Sequence, residues 1–377
     1  MPGRHREPLK TTTMKNTNIA TSRRNFLKGV IINGTALSVL PAGVLGNSTP
    51  SVRDTGKAAV PGLPLRIMMR SGLSDEYQEK LKKISSGITL EEDEGAIGEV
   101  NAWFGGISRE EFLKASNLAW VQSPSAGVEH YLFPEFVGSN VLLTNAKGCY
   151  GPAISEHAMG LLFTLTRNIG AQKLNMSLGK WQRDPENVIE MKGLTMGIVG
   201  LGGIGSQIAR RSRAMDMTVL AVDIMPKYRE QIGDICDEVR LVQDGGLEWL
   251  LSSADVVVSA APHTKVSEGM FGSGQFGMMK QGTYFINVSR GKLVQTPALV
   301  EALRSGHLAG AGLDVTDPEP LPPEHELWTL PNVIITSHIA GVSQYSFSRL
   351  QEVFTENVDR YIKGLPLLNQ VDKVMGF

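Results

Sequence analysis

The chain has 377 residues, and at roughly 100–200 residues per domain two domains are the first expectation. With 42% apolar and 20% charged residues, its composition is that of a soluble globular protein and excludes a disordered tail, a collagen-like fibre and a multispanning membrane protein. The net charge of −1 conceals an asymmetry: residues 1–46 hold seven Lys/Arg and one acid, a balance of +6, which leaves 30 Lys/Arg against 37 Asp/Glu in the rest. Forty-one glycines announce many tight turns or close backbone approaches. Two cysteines, Cys149 and Cys236, are too few for a disulfide framework or a cysteine-rich zinc site, and no metal site is expected.

In the leader, basic residues ending at Arg23-Arg24 precede a mildly apolar run from Gly29 to Leu45. That run is interrupted by Asn33, Gly34, Thr35 and Ser38 and falls short of the about 20 apolar residues that span a bilayer, so no stable membrane insertion is expected. The string Ser22-Arg23-Arg24-Asn25-Phe26-Leu27-Lys28 resembles a twin-arginine export signal, an address read by a receptor and not an anchor. The expectation is a signal peptide over residues 1–46, cleaved near Gly46, with Met1 or Met14 as the start and the export machinery as a partner. The destination would be the periplasm; if the leader is a non-functional basic extension, the protein stays in the cytoplasm. Residues 47–61, polar and punctuated by Gly and Pro, read as a linker.

From Leu65 the pattern becomes regular. LRIMMR reads as a strand, and SDEYQEKLKKI as an amphipathic helix opening at Ser74 or Asp75. NAWFGG is a strand ending in a Gly turn, SREEFLKAS a helix capped by Ser108, and LAWVQSPSAGVEHY and NVLLTNAKG repeat the strand-then-turn pattern. Residues 151–170 form one long apolar helix after Pro152, buried in a core or an interface and crossing between domains. Alternating strands and helices imply parallel sheets covered on both faces, with ligands at the carboxyl ends of the strands.

LTMGIVGLGGIGSQIARRSRAMDMTVLAVD follows. A continuous apolar strand runs straight into Gly200-x-Gly202-x-x-Gly205, a helix starts there, and the next strand ends on Asp223, 18 residues after Gly205. In a strand–turn–helix of this kind the first glycine makes the turn, the second lets a pyrophosphate approach and the third lets helix and strand pack. The helix N-terminus faces the phosphates, and an acid at Asp223 would accept the ribose hydroxyls and repel a 2′-phosphate. NAD is therefore expected over NADP, with Lys227 and Arg229 near Asp223 keeping NADP open. Strands ADVVVSAAP, TYFINVS, AGAGLDV and NVIITSH follow, with the helix TPALVEALRSG between the second and third.

Three strand ends carry reactive side chains: Arg290 after INVS, Glu319 beyond LDVTDP and His338 after IITS. The blocks INVSRGKLVQTPALVEAL, AGLDVTDPEPLPPEHELW and NVIITSHIAG, with the Gly-rich block and NAKGCYGPAISEHAMGLL, resemble those of the D-isomer-specific 2-hydroxyacid dehydrogenases over residues 65–377. The resemblance implies two doubly wound α/β domains: a flavodoxin-like substrate domain over 62–150, completed by residues 339–377, and a Rossmann NAD-binding domain over 151–338. It implies a catalytic Arg290, Glu319 and His338, with His338 as acid and base, Glu319 tuning it and Arg290 gripping the substrate carboxylate and carbonyl. Cofactor contacts are implied at Gly200, Gly202, Gly203, Ile204, Gly205, Asp223, Pro262, Val288, Asp314 and His338, with Asp314 on the nicotinamide carboxamide. Backbone contacts to the substrate carboxylate are implied at Gly105, Gly106 and Ile107.

Two departures stand out: Ser337 where a proline commonly precedes the catalytic His, and Thr316-Asp317 in place of an aromatic-containing pair. The expected activity is NAD(P)-dependent interconversion of a 2-keto acid and its D-2-hydroxy acid. Glu319 argues against a formate dehydrogenase, and export argues against serine biosynthesis. The alternative is a non-catalytic NAD-binding sensor of the same fold. A homodimer is a family expectation, with the helix from Pro152 as the seam, and no nucleic acid is expected.

Overall fold

The computed structural model describes residues 62–183, 188–231 and 233–377; the expected signal peptide and linker lie outside these. Short apolar strands, near-continuously hydrophobic as buried parallel strands must be, build two separate sheets. The first contains β1 (Leu65–Met69), β2 (Ile88–Glu91), β3 (Ala102–Phe104), β4 (Trp120–Gln122) and β5 (Leu142–Thr144) in the order β2-β1-β3-β4-β5. The second contains β6 (Thr195–Val199), β7 (Thr218–Asp223), β8 (Glu238–Leu241), β9 (Val256–Ser259), β10 (Thr283–Asn287), β11 (Leu308–Leu313) and β12 (Val333–Ile335), in the order β12-β11-β10-β9-β6-β7-β8. Every pairing in both is parallel. The fold is two parallel-sheet α/β domains.

Each sheet reverses its winding once, between β1 and β3 in the first and between β6 and β9 in the second. At such a point the connections leave in opposite directions and open a crevice beyond the strand ends. Both crevices are lined by glycine. Gly105 (φ 131) follows β3, where a Cβ would lie 2.6 Å from the Cβ of Arg70. Gly200 (φ 95) follows β6, where a Cβ would lie 2.8 Å from the Cα of Ala261.

The chain passes between the sheets twice. The helix Gly151–Thr166 buries Ala158, Met159, Leu161 and Leu162 against the second sheet, where Gly310 and Gly312 of β11 leave it room. It is shorter than the expected 151–170: Asn168, at φ 55, breaks it, and a second helix runs over Ile169–Ser177. Asparagine is among the few residues that take the left-handed conformation readily, so the break falls where the sequence allows it. The apolar face of Gly151–Thr166 is thus spent inside its own domain, while Leu174, Met176, Leu178 and Trp181, in and just after the second helix, are exposed. The return passage is the helix Ser346–Ile362, whose Phe354 stacks on Phe104 at 4.0 Å and whose Tyr361 stacks on Trp120 at 5.4 Å. Among the described residues no helix is long and apolar enough to cross a membrane.

Local signals behave unequally. Ser108 caps Arg109–Lys114 with a full capping box, its hydroxyl accepting from the Glu111 N–H while the Glu111 carboxylate accepts from the Ser108 N–H. Ser74 sits at the N-cap of Asp75–Ile84, yet its side chain caps nothing; its N–H donates instead to Oε1 of Gln351 at 2.6 Å, tying this helix to the C-terminal one.

Candidate active site

At the reversal of the second sheet the three glycines of the motif do different work. A Cβ on Gly205 would lie 2.0 Å from the Gly200 carbonyl oxygen, so packing of helix Gly203–Arg213 on β6 requires glycine there. A Cβ on Gly202 would meet no protein atom within 4 Å. That open space in front of the helix N-terminus, next to Ile204 in its first turn, is where a pyrophosphate would approach the backbone. The residues present therefore fit a dinucleotide. Gly203 lets Gly148 of the first domain pass close by: a Cβ on Gly203 would lie 3.3 Å from the Gly148 nitrogen, and one on Gly151 2.7 Å from the Gly203 carbonyl oxygen.

Asp223 ends β7 with its carboxylate accepting from the N–H of Leu201 at 2.8 Å and of Met225 at 2.9 Å. Those bonds pin the acid beside the glycine turn. Lys147 is drawn into the same neighbourhood: burial and the charge of Lys227 push its ammonium down, and Asp223 opposes them. Pro262 continues the segment Ala260–Ala261 that packs against Gly200, and its carbonyl accepts from the Ser267 hydroxyl at 2.7 Å.

Arg290, Glu319 and His338 follow the carboxyl ends of the adjacent strands β10, β11 and β12. Asn287 shapes the turn that presents Arg290: its amide donates to the Arg290 carbonyl at 3.0 Å and its oxygen accepts from the N–H and hydroxyl of Ser289. Val288, in the same turn, is buried. The Arg290 guanidinium donates from Nε to Oε1 of Glu129 at 2.7 Å and from Nη1 to the Ser289 carbonyl at 2.8 Å. Among the described residues, those on Nη2 and one on Nη1 of its five N–H groups are left for a ligand. Burial pushes the Glu129 carboxyl up, but the charge and hydrogen bond of Arg290 outweigh it and hold the group below the usual carboxylate range. Gly127 makes room for this arrangement, since a Cβ there would lie 1.9 Å from Nη2 of Arg290.

His338 holds a left-handed backbone, φ 54, and its Nδ1 lies 2.6 Å from Oε1 of Glu319, both side chains being half exposed. An ionised carboxylate only accepts, so Nδ1 carries the proton in that bond and Nε2 is left to face a ligand. Asp314, 2% exposed, accepts from the Thr336 hydroxyl at 2.6 Å and from the N–H groups of Ile339 and Ala340 at 3.0 Å each, and its carbonyl accepts from the His338 N–H at 2.8 Å. Its carboxylate is thus largely spent on the loop that carries His338, an occupation beyond the nicotinamide contact expected from the sequence.

In the first domain Gly105 donates its N–H to the Gln122 carbonyl and accepts from the Tyr131 hydroxyl, and Gly106 accepts from the Trp103 indole. The N–H groups of Gly106 and Ile107 have no acceptor among the described residues, which suits them to an anion. Glu129, from the first domain, and His157, from the helix Gly151–Thr166, went unread in the sequence. Both are single residues inside SAGVEHY and SEHAMG with no spacing to mark them. Taken together, the strand ends offer a proton-carrying imidazole fixed by a carboxylate, a guanidinium with free donors and two unspent amides. That set suits polarising a carbonyl flanked by a carboxylate and moving a proton to or from its oxygen.

Comparison with known proteins agrees with this geometry. Residues 159–340 match the family model described as D-isomer specific 2-hydroxyacid dehydrogenase, NAD binding domain. The chain is 34% identical over 263 residues to a glyoxylate reductase of Thermofilum pendens, covering 68% of this chain and 76% of that one. It is 31% identical over 323 residues to a D-3-phosphoglycerate dehydrogenase of Archaeoglobus fulgidus, covering 82% of this chain but only 59% of the longer relative. A solved structure of a D-isomer specific 2-hydroxyacid dehydrogenase family protein from Aeromonas salmonicida superposes with a TM-score of 0.70 at 32% identity, over 82% of this chain and 99% of that one. Paired strand-end chemistry, a dinucleotide turn and relatives matched over most of their length agree: the chain belongs to the D-isomer-specific 2-hydroxyacid dehydrogenase family.

Proposed function

We propose that the protein is an NAD-dependent oxidoreductase that interconverts a 2-keto acid and its D-2-hydroxy acid. The observation that carries this reading is the 2.6 Å pair of His338 and Glu319 on the strand ends next to Arg290. The nicotinamide, when bound, supplies or takes the hydride. Nε2 of His338 gives the carbonyl oxygen its proton in reduction and takes it back in oxidation. Glu319 holds the imidazole in the required tautomer and stabilises its charged form. The free donors of Arg290 grip the substrate carboxylate and polarise the carbonyl, and the Gly106 and Ile107 amides receive the other side of the carboxylate. Gly200, Gly202, Gly203, Ile204 and Gly205 would hold the dinucleotide, and Pro262, Val288 and Asp314 would hold its nicotinamide end. Asp223, fixed by two backbone amides, favours NAD over NADP.

The test is turnover of a panel of 2-keto acids with NADH by the purified chain, beside its His338→Ala variant. The wild type is expected to turn over at least one. The variant should lose about 10²–10⁴-fold in rate, the usual worth of a general acid–base group, while binding cofactor equally well. Cofactor bound without turnover across the panel overturns the enzyme in favour of a binding protein.

Two further parts of the reading concern the whole chain. Residues 22–28 support export of the folded protein to the periplasm by the twin-arginine route, with its dinucleotide carried inside. The exposed Leu174, Met176, Leu178 and Trp181 support a homodimer whose seam lies there and not on the buried helix that precedes them; mass in solution measures it.

A further inference from the structure

His338 stands in a left-handed conformation, φ 54, which a residue with a Cβ keeps only where its surroundings hold it. The residue before it is Ser337, whose backbone is not locked as a proline's would be and whose N–H makes no hydrogen bond among the described residues. The loop is held from one side by Asp314, through its carbonyl and through the three donors on its carboxylate. One of these donors is the Thr336 hydroxyl, and a hydroxyl has a single proton. Because the Asp314 carboxylate can only accept, the Thr336 proton lies in the 2.6 Å bond to Asp314. Nε2 of His157, 2.8 Å from the same hydroxyl and 3.5 Å from Oδ1 of Asp314, must therefore be the donor to Thr336. That assignment fixes the protonated nitrogen of His157 and gives its ring one direction of pull.

We propose that His157 is a positioning residue for the reaction, anchoring the loop of His338 through Thr336 and Asp314 from a helix outside the strand ends. The helix Gly151–Thr166 is itself packed on β10, β11 and β12, so the loop is gripped between Asp314 beneath and a rigid element beside it. His157 touches neither substrate nor cofactor in this scheme. It decides where His338 sits relative to both. The inference rests on the proposed role of His338, but part of its test does not.

The experiment compares His157→Leu, which fills the space without donating, with Thr336→Val, their double variant, and His157→Gln, whose amide restores a donor. Turnover, cofactor affinity and amide exchange at Ile339 and Ala340 are read in each. His157→Leu and Thr336→Val should each lower kcat on the order of tenfold, about the worth of one hydrogen bond, with cofactor Kd within about twofold of wild type. Exchange at Ile339 and Ala340 should quicken in both. The double variant should be no worse than Thr336→Val alone, which already removes the hydroxyl through which His157 acts, and His157→Gln should recover most of the loss of His157→Leu. Wild-type kcat in His157→Leu, losses that multiply in the double, or unchanged exchange at Ile339 and Ala340 would each overturn the proposal. Should His157→Leu not fold, His157→Asn, polar but too short to reach, replaces it with the same expectations. If His338→Ala keeps full turnover, the role of His338 fails on its own account, while the exchange measurement still reports whether His157 holds the loop.

Discussion

At the scale of single residues, the side chains that the fold gathers at adjacent strand ends were legible as candidates, because each followed a strand and had chemistry to offer. Their supports were not. Glu129 sits in an ordinary loop and becomes meaningful only when folding places it 2.7 Å from Nε of Arg290. The pair obeys a simple sign rule. Its depressed Glu129 pKa contributes stability that is present above the usual carboxylate value and is lost as pH falls through the lowered one. Gly127 is the most exposed test of this arrangement, because the atom it leaves room for is the tip of a flexible side chain. Gly127→Ala should push the Arg290 guanidinium aside, raising KM for the 2-keto acid about tenfold or more while the thermal midpoint stays within a few degrees. Steady-state kinetics and a melting curve read the two effects separately. An unchanged KM would mean that Nη2 plays no part in substrate binding.

Among elements, the sequence pattern identified strands with apolar runs and missed one edge of each sheet. Ile88–Glu91 and Glu238–Leu241 are the outermost strands at one end of each sheet, half-buried and polar at alternate positions, so nothing in their composition outweighs their charged flanks. The helix expected over 151–170 stops at Thr166 because the backbone turns left-handed at Asn168, a choice that hydrophobic periodicity does not record. Close packing was legible only in part: glycine was abundant, but which glycine meets which neighbour depends on the pairing. Gly312 on β11 faces Leu161, whose Cβ would be 2.8 Å from an added methyl, and Ile286 at 2.9 Å. Gly312→Ala is expected to destabilise the protein by about 1–3 kcal/mol through overpacking, seen as a lower denaturant midpoint with an unchanged slope. A wild-type midpoint would show that the helix Gly151–Thr166 can shift without loss.

For the molecule as a whole, two parallel-sheet domains followed from alternating elements, whereas the return of residues 339–377 to the first of them was implied by the family resemblance alone and by no pattern within the segment. Nothing in the sequence of Ser346–Ile362 says that it packs on β3 and β4 near the beginning of the fold. The charge asymmetry of the leader is likewise a property of the entire chain, and its consequence is tested on intact cells. Fractionation should find the mature protein in the periplasm with a dinucleotide bound, and replacing Arg23 and Arg24 by Lys should retain it in the cytoplasm. A cytoplasmic wild type, or periplasmic protein without dinucleotide, would remove export of a loaded enzyme. The return of the last long helix has an implication for biosynthesis. Phe104 and Trp120 lose their stacking partners in any chain that stops before Phe354 and Tyr361, so the domain that emerges first from the ribosome is the one finished last. Until the last long helix is made, the aromatic faces of Phe104 and Trp120 stay open, and a prematurely ended product keeps them bare.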